Sequence, residues 1–141
     1  MKYDDASWHY GGDYPAGLPE KNAYTHTGVF LAWALVHGMV GEVHNFERPE
    51  DVQAVKSKLK TGGQFLADNC DGKFTDEDLN DIGNKFASEF YENEYFSVYV
   101  EAVDPEEKYE TIYHVPDTWE TYDKVAPVIS KHFEMWSQSN T

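Results

Sequence analysis

Apolar positions along the chain recur mostly at intervals of three and four, so helices are the expected elements. Residues 22–38, NAYTHTGVFLAWALVHG, are apolar on nearly every side in their second half. That pattern predicts a helix enclosed by other elements. Gly38 stands where a glycine closes such a helix, with His37 at its negative end. Residues 49–60, PEDVQAVKSKLK, put Pro49, Glu50 and Asp51 in a first turn and lysines in the last, with Val52, Val55 and Leu59 as a narrow apolar stripe. Another short helix is expected over TGGQFLADNC, capped by Thr61 and packing Phe65 and Leu66.

The clearest helix start is FTDEDLND. Thr75 is placed to cap, Asp78 to complete a capping box, and Phe74 and Leu79 to form a hydrophobic staple. Leu79, Ile82, Phe86 and Phe90 then repeat at helical spacing, but the next apolar set is Tyr91, Tyr95, Val98, Tyr99 and Ala102. The phase slips, which predicts a break or kink near residues 92–94; a strand also fits residues 95–100, with helix preferred. YETIYHV, residues 109–115, is the best strand candidate. VPDTWETYD opens a last helix with Asp117 as cap and Glu120 at the third helical position. Along it run Trp119, Tyr122, Ala126, Ile129, Phe133 and Trp136, with Pro127 predicting a kink. The expected fold is mainly α: a compact single-domain bundle of about five helices over residues 1–141, with at most a minor short β-hairpin.

The opening MKYDDASWHYGGDYP is of a different kind. It lacks the basic and apolar regions of an export signal and is too rich in rings for a disordered tail. We expect residues 1–18 to form an arm docked on the helical core. In it Tyr3, Trp8, Tyr10 and Tyr14 cap the core beside Asp4, Asp5 and Asp13, and Gly11 and Gly12 allow a tight reversal.

Charge narrows the functional classes. The chain carries −15, and residues 75–123 alone hold 15 acidic against 2 basic side chains. Such a surface repels nucleic acid and anionic membranes and attracts basic proteins. The longest apolar run, VFLAWALV, is too short to span a membrane. A single cysteine, Cys70, permits no internal disulfide and suggests a reducing, cytoplasmic setting.

Motifs for chemistry are sparse. Within NCDGKFTDED, Gly72 takes the sixth position of a calcium loop and Asn69 and Asp71 the third and fifth, but Ala67 falls at the first and Asp78 at the twelfth. A tight turn feeding a capped helix explains the same residues. No HExxH or CxxC is present, so no zinc signature exists, and Asp68 and Asp71 beside Cys70 disfavour a thiolate. A spatial group of Asp4, His9, Asp13 and His114 remains open as an alternative. It would serve a small metal-dependent or Asp/His hydrolase. No catalytic residue, metal ligand or cofactor is assigned.

The acidic segment interleaves its carboxylates with ten rings. Its expected partner-binding residues are Glu89, Glu92, Glu94, Tyr95, Glu101, Asp104, Glu106, Glu107, Tyr109 and Glu110, with tyrosines as anchors and carboxylates steering a basic partner. The opening string, together with FLAW, CDGKFTDEDLN and YHVPDTWETYD in this order, resembles a family of small acidic bacterial proteins of unknown function. The resemblance implies a bacterial, cytoplasmic, stand-alone domain whose opening is a fixed element of the fold. By analogy of type, the expected role is an immunity protein. It would act as a monomer or weak dimer and neutralise a cognate toxin domain, a basic nuclease being the favoured target.

Overall fold

The computed structural model describes residues 2–10 and 14–139. It is mainly helical. A central helix α2 (Thr25–Val36), buried from Thr25 to Leu35, packs against α4 (Pro49–Lys56), α5 (Gly62–Cys70) and α8 (Trp119–Ser139). Its all-round apolar sequence leaves it nowhere else to sit. The crossing of α2 and α5 is close because it is made of glycine. A Cβ on Gly28 would lie 2.3 Å from the Gly63 nitrogen, and one on Gly62 only 1.8 Å from the Gly28 carbonyl oxygen.

The short helices α1 (Ala6–Tyr10) and α3 (Glu42–Glu47) flank this core, and α6 (Asp81–Phe90) and α7 (Phe96–Val103) complete the helical set. Between α6 and α7 the chain stays helical through one π turn, Tyr91–Tyr95. This is the physical form of the phase slip. The buried positions Gly83, Phe86, Ala87 and Phe90 give way to Tyr91, Tyr95, Tyr99 and Val103, because the wider turn rotates the apolar face by one residue.

The strands are not where the sequence suggested. β1 (Lys2–Asp5) pairs antiparallel with β2 (Lys73–Thr75), with a bulge between Lys2 and Asp4, so the sheet joins the opening segment to the middle of the chain. Residues 109–115 form no strand; a 3-10 turn, Ile112–His114, occupies them. The Asp104 carboxylate accepts from the backbone of Lys108 and Tyr109, which curls the chain away from an extended path.

Three further expectations are corrected. Thr75 and Asp78 do form the capping box, but it closes only a 3-10 turn, Asp76–Asp78. Leu79 is then extended and bridges to Val40, and α6 starts afresh under Asn80, whose side chain accepts from Gly83 N. Ile82 is therefore turned outward. Leu59 is 83% exposed, since α4 ends at Lys56 and Lys58 takes a left-handed φ of 63°. Asp117 does not cap α8: Thr118 accepts from Thr121 N, while Asp117 accepts from the Thr61 hydroxyl at 2.7 Å and so fastens the start of α8 to the start of α5.

Candidate functional site

Three features bear on function: an acidic flank, and two polar clusters within the fold. The flank is built by the helical run from α6 through the π turn to α7. Its inner side is Phe90, Tyr91, Tyr95, Tyr99 and Val103, so Glu89, Glu92, Glu94 and Glu101 fall on the outer side and are exposed. Phe96, 48% exposed, lies among them. In the loop that follows, Glu106, Glu107 and Glu110 are exposed as well. Among the described residues, the ion pairs within this stretch are Glu106 with Lys108 and Glu110 with His114, leaving Glu92, Glu94, Glu101 and Glu107 without a cation. Glu89 accepts from the Trp136 indole.

Three expected contact residues are placed differently. Tyr95 is 1% exposed and donates to the His26 carbonyl, so it is part of the core and no anchor for a partner. Asp104 spends its carboxylate on the turn described above. Tyr109 is half-buried against the core.

The first polar cluster joins the opening strand to α2. Asp4 Oδ1 accepts from Asp5 N and His9 Nε2, each at 2.8 Å. Its Oδ2 accepts from Tyr91 at 2.5 Å and Thr27 at 3.0 Å, with His26 Nε2 at 3.3 Å. His9 Nδ1 meets the Tyr113 hydroxyl at 2.8 Å. Burial alone would raise the Asp4 pKa, but hydrogen bonds from His26, His9 and Tyr91 outweigh it and hold the carboxyl well below the usual range. Burial pushes His26 down, with Asp4 opposing. The sequence paired Asp4 with His9 correctly as candidates. His114 instead meets Thr111 and Glu110, and Asp13 lies outside the described residues. His26 was missed, although a histidine in an otherwise enclosed helix is itself a signal of a buried partner.

The second cluster brings together residues far apart in the chain. His44 Nε2 lies 2.7 Å from Asp78 Oδ1, and Cys70 Sγ lies 3.5 Å from the same oxygen and 3.9 Å from His44 Nε2. Burial, then the Asp78 charge, pushes the thiol pKa up. The acid beside Cys70 is thus Asp78; Asp68 pairs with Lys60 and Asp71 with Lys73. Both partners of His44 share its Nε2, whereas a nucleophilic triad needs one on each nitrogen. The calcium loop does not form either: the Asn69 side-chain oxygen accepts from Arg48, Asp71 points outward, and Asp78 is turned to Thr75 and His44.

No helix among the described residues is long and apolar enough to cross a membrane. A family model described as a domain of unknown function (DUF7832) matches residues 2–115. No curated protein and no solved structure matches the chain.

Proposed function

Since the chain belongs to the DUF7832 family of domains of unknown function, its role must be read from its own geometry, and we propose that it is a protein-binding domain whose acidic flank receives a basic partner. One observation carries this reading: Glu92, Glu94 and Glu101 are exposed along a single helical run that also carries the exposed ring of Phe96, and none of the three has a cationic partner among the described residues. Unpaired carboxylates on a rigid helix raise the local concentration of a cationic surface and speed encounter, while an exposed ring supplies apolar contact once the partner is seated. In its narrower form the proposal is an immunity role in the bacterial cytoplasm, with the flank occupying the cationic cleft of a toxin, a basic nuclease above all.

The test is co-expression with, and titration against, the protein encoded immediately upstream of this chain. A basic toxin domain there should be neutralised, with binding that weakens as salt rises. The Glu92→Lys/Glu94→Lys/Glu101→Lys variant should associate more slowly by on the order of 10- to 1000-fold at low salt. A neutral or acidic product, or a triple variant that protects as well as the parent, ends the proposal.

A further inference from the structure

The geometry points to a binding site for a single transition-metal dication, Zn²⁺ in the first instance, at His44, Cys70 and Asp78. The donor atoms Nε2, Sγ and Oδ1 all lie within 4.8 Å of one another. They come from three separate elements: α3, the last residue of α5, and the 3-10 turn after β2. Zinc bond lengths of 2.0–2.3 Å place tetrahedral ligands roughly 3.3–3.8 Å apart. The thiol already stands 3.5 and 3.9 Å from its two companions. Only the 2.7 Å contact between His44 and Asp78 has to widen, and it is held by the proton that a metal would replace.

The chemistry of the cluster favours that replacement. Two proton donors, the Cys70 thiol and the His44 Nε2–H, converge on one oxygen of Asp78. His44 is 4% exposed, and its other ring nitrogen has no hydrogen-bond partner among the described residues, so Nδ1 is open to take the proton that Nε2 gives up. A dication satisfies all three donors at once. The thiol proton leaves to solvent, the imidazole proton moves from Nε2 to Nδ1, and one carboxylate and one thiolate balance the two positive charges. The ligand set of sulfur, nitrogen and oxygen suits zinc or cobalt and not the all-oxygen preference of calcium or magnesium.

The surroundings are also set for it. Thr75 N holds Asp78 Oδ2 at 2.8 Å, fixing the other oxygen toward the cluster, and the His44 ring packs edge-on against Phe65 at 5.0 Å. A recess of about 320 Å³ opens beside the three residues, with Glu47 and Glu77 in its wall against Arg48 and Lys73. It gives an ion a way in and leaves a fourth coordination position for water. The inference is independent of the acidic flank and its partner.

Titration of the reduced protein with Co²⁺ tests it, followed by displacement with Zn²⁺. One equivalent should bind with a thiolate-to-cobalt charge-transfer absorption, and Zn²⁺ should abolish the band and raise the melting temperature. Cys70→Ser, nearly isosteric and so expected to fold, should lose the band. It should also bind Zn²⁺ at least 10- to 100-fold more weakly, since even outer-shell losses cost about that much. His44→Gln should do the same. Absence of the absorption in the parent, or undiminished Zn²⁺ affinity in Cys70→Ser, would overturn the assignment and place the ion on scattered surface carboxylates.

Discussion

Asp4 is the residue on which most local order converges. Its two oxygens collect donors from β1, α1, α2 and the π turn, so one carboxylate ties four elements together. Asp4→Asn puts an amide where Tyr91, Thr27 and the histidines all approach as donors, and should cost about 3 kcal/mol, as breaking a buried charged network does. Linkage gives the pH dependence. The folded pKa of His26 lies below its ordinary 6.5, so its contribution to stability is complete above that value and falls as the unfolded chain takes up a proton below it. The folded pKa of Asp4 is depressed from 3.8, so its contribution is complete above 3.8 and is lost as pH falls toward the folded value. Urea midpoints measured from pH 8 down to pH 3 should therefore decline in two stages. Asp4→Asn should lose the lower one. A variant as stable as the parent across that range would remove Asp4 from this role.

At the scale of elements, close packing and one irregular turn decide the arrangement. Gly28→Ala directs a methyl group at the Gly63 backbone, which cannot rotate aside as a side chain can. The α2 and α5 axes must separate, at a cost of about 1–3 kcal/mol typical of overpacking, and a lower midpoint of urea denaturation checks it. The π turn was legible in part: the slip from Phe90 to Tyr91 showed in the apolar spacing, whereas the continuity of the helix through it did not. Spacing alone does not separate a break from one extra residue in a turn. The start of α8 was misjudged for a related reason. Asp117 and Thr118 are both competent caps, and only the approach of Thr61 from α5 assigns the aspartate elsewhere.

For the molecule as a whole, the opening segment and the charge distribution are the two global features. Tyr3, Asp4 and Asp5 are buried through β1, and Tyr3 donates to Asn84 on α6 at 2.7 Å. Of the rings expected to cap the core, Trp8 is instead 56% exposed with Lys2 over its face, Tyr14 rests on Tyr113, and the Tyr10 side chain lies outside the described residues. Removing residues 1–14 deletes β1 and the Asp4 node together and should lower the melting temperature markedly; an unchanged value would show that the helices hold without them. The acidic residues, by contrast, are mostly on the outside, where they contribute little to stability and much to the field an approaching protein meets.

Composition and spacing by themselves determined the helical class, the central position of α2, most of the apolar faces, the Thr61 cap of α5, and the concentration of negative charge in residues 75–123. Each of these depends on neighbours within a turn or two, or on a sum over the chain. Tertiary structure alone decided which polar groups meet. His26 reaches Asp4, and His44 reaches Cys70 and Asp78, across separations of 22, 26 and 34 residues. No local periodicity encodes such contacts. They exist because burying the apolar faces of α2 and α5 forces the few polar atoms carried inward to find one another.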